Sequence, residues 1–211
     1  MTIEEANTLM EEMIKSPNLR KHGYAVEAIM RDLCNYLRDR EGKEILKQVQ
    51  DDKEDSGQAR MTEEFDEEEW AIVGLLHDAD YELIEKDPSK HTLVTEEKLR
   101  EKGFTNERII SAIKAHHDGI KETRDNIMES SVYAADELSG LITACALVQP
   151  DKKLSQVTVE GVLKKFKQPS FAAGARRDQI TKGISELEIP LEEFTKIALK
   201  SMQKISDKLG L

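Results

Sequence analysis

The apolar run Trp70-Ala71-Ile72-Val73-Gly74-Leu75-Leu76 ends directly in His77-Asp78. A helix that buries this run carries a histidine and a carboxylate into or beside the core. A buried, unpaired charge is costly, so the pair has to be hydrogen-bonded or bound to a cation supplied with ligands from elsewhere in the chain. Matching groups are present. His116-His117 is a second adjacent pair, and His22, His91 and Asp136 lie beside other apolar stretches. A fold that used these groups to satisfy the His77-Asp78 pair would bring the distant segments together.

Apolar residues recur at three- and four-residue steps along nearly the whole chain, which predicts an all-α fold. Thr2 and Glu5 read as a capping box opening the first helix. Ser16-Pro17 supplies an N-cap and first position for the second, whose stripe Leu19, His22, Val26, Ile29, Leu33, Leu37 turns His22 inward. Asp66 and Glu69 cap the helix of Trp70, Val73 and His77. Asp87-Pro88-Ser89 opens a helix that Gly103 ends. Thr105 opens the next, which runs through Ile109, Ile110 and Ile113 to His116-His117 and stops at Gly119. Ile127 to Val148 is apolar on more than one side and reads as the central buried helix, with Asp136 in its middle. The last third contains no histidine. It reads as a helix over 157–167, a break at Gln168-Pro169, a helix around Arg176 to Ile184, and a last helix after Ile189-Pro190. The expected organisation is a helical domain over residues 1–150 with a C-terminal helical extension, 151–211, packed on it. Residues 44–64 are charged and nearly devoid of apolar pattern. They read as a surface insertion with one helical turn at its start.

At 211 residues the chain is long enough for one substantial core. It has no apolar stretch near the roughly 18 residues of a membrane span, and the acidic start from Met1 to Lys15 is unlike a signal peptide. Cys34 and Cys145 are far apart and read as core thiols of a reduced, cytoplasmic protein. A net charge of −11 argues against broad nucleic-acid binding. A small anionic substrate is compatible with it, because a local cation or basic patch outweighs global charge.

Imidazole and carboxylate together suit divalent transition metals. Two such ions about 3.5–4 Å apart, bridged by a carboxylate, hold a hydroxide nucleophile and stabilise a displaced phosphoryl oxygen. His22, His77, Asp78 and Asp136 suffice for one site, and Asp78, His91, His116 and His117 for a second that shares Asp78. Taken singly, each residue has an ordinary explanation. An inward histidine is commonly a hydrogen-bonded core residue, and a histidine pair suits the C-terminal end of a helix dipole. Their joint occurrence carries the metal reading. The expected cofactor is one or two divalent ions from among Fe, Mn, Co, Mg and Zn.

The order His22, His77-Asp78, His91, His116-His117, Asp136 resembles the HD-domain superfamily of metal-dependent phosphohydrolases over about residues 16–148. The strings Gly74-Leu75-Leu76-His77-Asp78-Ala79-Asp80-Tyr81-Glu82 and Ala134-Ala135-Asp136-Glu137-Leu138-Ser139-Gly140-Leu141-Ile142 are similar to the predicted HD hydrolases of bacteria and archaea. So is Lys164-Lys165-Phe166-Lys167 followed by Phe171-Ala172-Ala173-Gly174, which extends the resemblance over most of the chain. The resemblance implies an HD-domain helical bundle in which His22, His77, Asp78 and Asp136 bind the first metal. It implies that His91, His116 and His117 complete a second site, with His77 and Asp78 at the catalytic centre. The implied reaction is hydrolysis of a phosphomonoester or phosphodiester by metal-activated hydroxide. There are two departures. Some dinuclear phosphodiesterases follow the pair with a glycine and a lysine that assists the leaving group; Asp80 and Tyr81 stand here. Residues 44–64 are extra sequence.

Arg20, Lys21, Lys164, Arg176 and Arg177 are candidates to bind substrate phosphate, with an exposed helix face as the alternative for each. The expected partner is a small phosphorylated substrate such as a nucleotide. The same metal ligands also permit a di-iron oxygenase, and a non-catalytic nucleotide-binding module is a further alternative.

Overall fold

A computed structural model describes residues 1–48, 64–84 and 87–211, and all of the regular structure among them is helical. The elements are α1 (Ile3–Met13), α2 (Pro17–Gln48), α3 (Glu67–Leu76), α4 (Leu93–Glu101), α5 (Glu107–Ala115), α6 (Ile127–Leu147), α7 (Val159–Phe166), α8 (Arg177–Glu186), α9 (Leu191–Lys204) and α10 (Ser206–Leu209), with 3-10 turns at Pro88–Lys90 and Leu154–Gln156.

The helix starts follow from local chemistry. Thr2 and Glu5 form the reciprocal capping box that opens α1. Asp66 caps α3 by accepting from the N–H groups of Glu68 and Glu69. Asn106, one residue beyond the expected Thr105, caps α5. Asn126 caps α6. α2 stays helical to Gln48, past the expected start of the insertion; residues 49–63 lie outside the described residues.

The helix predicted from Asp87 to Gly103 is instead broken in two. A 3-10 turn capped by Asp87 ends at His91, and Thr92 adopts φ +67° before α4 begins. A β-branched residue in the left-handed region is strained, typically by about 1–3 kcal/mol. The turn places the His91 ring between the buried side chains of Asp80 and His116, which a continuous helix would not reach.

α6 is the central element, with fourteen of its residues buried along the core. α2, α5 and α8 pack along it, and α9 packs across α2 and α6, so the C-terminal helices share the core of the N-terminal ones. Two glycines allow the closest approaches. A Cβ on Gly74 of α3 would lie 2.8 Å from the backbone of Glu27 and Val26 in α2. One on Gly183 of α8 would lie 2.8 Å from the Ala134 side chain and the Ser130 carbonyl of α6. The Gly74 contact is the one that positions buried histidines. It seats α3 against α2 one turn from His22 on one helix and one turn from His77 on the other.

Gly74→Ala should therefore destabilise the protein by about 1–3 kcal/mol, since backbone rather than a flexible side chain blocks the added methyl. Gly140 of α6 has open space around it and is the control; Gly140→Ala should be neutral or stabilising by up to about 1 kcal/mol. Urea denaturation checks both. A Gly74→Ala protein as stable as wild type would contradict the close-approach reading.

Candidate metal centre

Six of the seven ligand candidates converge. His22 comes from α2, His77 caps the end of α3 with Asp78 following it, His91 follows the 3-10 turn, His116 caps the end of α5, and Asp136 is in mid-α6. His22 Nε2 lies 3.0 Å from Asp136 Oδ1, 3.1 Å from His77 Nε2 and 3.5 Å from Asp78 Oδ2. His91 Nε2 lies 2.9 Å from His116 Nε2 and 3.1 Å from Asp78 Oδ1, which is itself 3.4 Å from His116 Nε2. The donors thus form two clusters, His22–His77–Asp78–Asp136 and Asp78–His91–His116, that share Asp78. His117 belongs to neither cluster, although its ring stands 5.1 Å from that of His91.

The outer nitrogens show that the clusters fit metal ions. His77 Nδ1 and His116 Nδ1 lie against the carbonyl oxygens of Gly74 and Ile113, which can only accept, so both nitrogens carry hydrogen. His91 Nδ1 donates to Asp80 Oδ1 at 2.8 Å. Ser139 Oγ donates to the Asp136 carbonyl and so accepts from His22 Nδ1 at 3.1 Å. In their neutral form all four rings therefore turn an Nε2 lone pair inward, in two pairs at 3.1 and 2.9 Å. Facing lone pairs repel unless a cation lies among them. Metal–ligand bonds of about 2.0–2.2 Å put neighbouring donors about 3 Å apart, as here. Partners that fix the tautomer from behind are the usual support of histidine ligands.

The electrostatics agree. Burial alone would lower the pKa of His22, but the hydrogen bond to Asp136 and the charges of Asp136 and Asp78 prevail and raise it to about 9. His91 is likewise raised to about 9, against burial, by Asp78 and Asp80. Burial would raise Asp78 and Asp136, yet the surrounding histidines hold both below the usual carboxylate range. Protons on the histidines thus take the place of the cation. Glu137 differs: burial, reinforced by the charge of Asp136, pushes it up to about 7.

The clusters open into a cleft of about 750 Å³. Leu19, Tyr81, Ile84 and Pro88 make its apolar side; His117, Glu137, Arg176 and Gln179 make its polar side. Of the five basic candidates, Arg176 alone lines this cleft, with its guanidinium 3.4 Å from Asp118 and 3.1 Å from Asp178. The structure places the other four elsewhere. Arg20 donates to the carbonyls of Ile14 and Glu11, at the unsatisfied C-terminal end of α1. Arg177 donates to the carbonyls of Phe171, Ala172 and Ala175 and closes the loop before α8. Lys21 lines a second cavity that shares His22 with the cleft and is bounded on its far side by Leu209, Gly210 and Leu211, and Lys164 is exposed on α7. Asp80, read from the sequence only as a departure from the phosphodiesterase pattern, is fully buried and anchors His91, its second oxygen accepting from the Thr95 N–H. An acidic residue two positions past the His-Asp pair, in a buried turn, was the available signal.

Metal uptake should depend on pH. In the metal-free protein His22 and His91 hold protons at neutral pH, so an ion entering each cluster displaces one. Affinity should fall by about tenfold per pH unit per cluster below pH about 9. The same protons stabilise the metal-free fold. That contribution is complete below the ordinary histidine value of 6.5 and is lost as pH rises through about 9. Calorimetry in buffers of different ionisation enthalpy checks the proton release; affinity unchanged between neutral pH and pH about 9 would contradict it.

The HD domain family model matches residues 19–141, which include every residue of both clusters. No curated protein and no solved structure matches the chain. The HD domain superfamily is generally one of metal-dependent hydrolases, and the His/Asp clusters here are able to hold a metal. With more than half its length matched and Asp78 of the histidine–aspartate pair shared by both clusters, the chain belongs to the HD domain family.

Proposed function

We propose that this protein is a metal-dependent phosphohydrolase acting on a phosphomonoester or phosphodiester of a nucleotide or another small metabolite. The carrying observation is that the two clusters joined at Asp78 open into one cleft with Arg176 on its wall. Divalent ions in the clusters would supply Lewis acidity and a water of lowered pKa. His22, His77, Asp78 and Asp136 would hold one ion, and Asp78, His91 and His116 another. Arg176 offers planar donors suited to phosphate oxygens. Glu137, with a pKa of about 7, is able to carry a proton in the same cleft near neutral pH. The apolar side suits the organic part of the ester, and the cleft volume suits a small molecule.

The net charge of −11 supports a small substrate over a nucleic acid. No helix among the described residues is long and apolar enough to cross a membrane. Cys34 and Cys145 are buried free thiols, which supports a reducing, cytoplasmic setting.

Metal analysis followed by a phosphatase and phosphodiesterase screen with Mn²⁺, Fe²⁺, Co²⁺ and Mg²⁺ tests the proposal. Hydrolysis of at least one phosphoester class is expected. Oxygen consumption with a mixed-valence di-iron signal and no ester hydrolysis would contradict it and favour the oxygenase. Arg176→Ala should lower kcat/KM by about one to two decades with metal content unchanged, the loss of a charge-assisted contact of roughly 1.5–3 kcal/mol. Lys164→Ala should stay within about twofold of wild type, as a side chain outside the cleft.

A further inference from the structure

His117 lines the cleft beside the second cluster but is held in the opposite sense to the other four histidines. Each of those donates through Nδ1 and, in the neutral ring, turns an Nε2 lone pair inward. His117 Nδ1 instead accepts, from the backbone N–H of Gly119 at 3.2 Å. A backbone N–H can only donate, so in the neutral ring the hydrogen resides on Nε2. An imidazole in that state has no Nε2 lone pair for a metal. Among the described residues nothing accepts from this Nε2–H.

The surrounding turn holds the ring in place. Gly119 has no side chain, and a Cβ there would lie 3.0 Å from His117 Cε1. Between them, Asp118 is gripped by the Tyr133 hydroxyl at 2.8 Å and by the guanidinium of Arg124 at 3.2 Å, with Arg124 itself tied to Glu186. Asp118 also accepts from Arg176 and Gln179, which line the same cleft. One anchor therefore fixes both the turn that carries His117 and the guanidinium of Arg176.

We propose that His117 is a substrate-binding residue and not a metal ligand: its Nε2–H donates to a phosphoryl oxygen, alongside Arg176. The phosphate rests on the function proposed above; the exclusion from metal binding rests on the tautomer alone.

Three measurements on the full chain test this. Long-range ¹⁵N–¹H spectra of the metal-free protein at about pH 8 should show the His117 ring proton on Nε2. Manganese stoichiometry should be unchanged in His117→Ala and in His117→Gln. Binding of inorganic phosphate to the manganese-loaded protein should weaken by about tenfold or more in His117→Ala, with part of the loss recovered in His117→Gln, whose amide keeps a donor. If the alanine variant fails to fold, the glutamine variant still decides the metal count. A proton on Nδ1, loss of an ion in either variant, or phosphate binding indifferent to His117 would overturn the proposal. If phosphate binding depends on His117 but no phosphoester is hydrolysed, the proposed function fails and the assignment of His117 stands. If esters are hydrolysed and phosphate binding ignores His117, the reverse holds.

Discussion

Asp78 is the constraint on which the rest of the site depends. It is largely buried, and its two oxygens face different histidine sets: Oδ2 toward His22 and His77, Oδ1 toward His91 and His116. A carboxylate so placed is unfavourable without compensating positive charge. In the metal-free protein that charge is protons on imidazoles. With metal it is the ions themselves. Either way the four histidines have to arrive from four separate segments, so the position of one carboxylate ties together α2, α3, the turn before α4, and α5.

Two features of the backbone make this convergence possible. Gly74 lets α3 lie against α2 closely enough that His22 Nε2 and His77 Nε2 meet at 3.1 Å, and the Gly74 carbonyl then fixes the His77 ring from behind. Thr92 in the left-handed region interrupts what would otherwise be one helix. His91 is thereby free to take Asp80 on one nitrogen and the cluster on the other. Strain at a residue next to a ligand is tolerable when Asp80, with no exposed surface, holds both His91 and the Thr95 N–H.

The helical stripes were legible because burial of one face imposes a 3.6-residue period. That period turned His22 inward with Val26 and Ile29 and put His77-Asp78 at the end of the Trp70 run. Asp136 was legible for a different reason: a carboxylate in the middle of an apolar helix needs a partner. What could not be read was which polar groups were already engaged. Arg20 and Arg177 are cations near the right place in the chain, but the carbonyls at the end of α1 and in the 171–175 loop claim their donors. His116 and His117 are adjacent and chemically identical in sequence. Their difference is set by the Ile113 carbonyl behind one ring and the Gly119 N–H behind the other. The break at Thr92 was hidden because Pro88 suits the first turn of a helix and no further proline or glycine stands between Ser89 and Glu101 to announce it.

The central claim is that Asp78 joins two metal positions, each backed by lone pairs of histidines whose outer nitrogens are fixed. Anomalous diffraction from crystals of the manganese-loaded protein tests it most directly. Two peaks about 3.5–4 Å apart, one on each side of Asp78, with His22, His77 and Asp136 around the first and His91 and His116 around the second, are expected. A single peak that Asp78 does not touch, or an ion bound by His117 in place of His116, would contradict it.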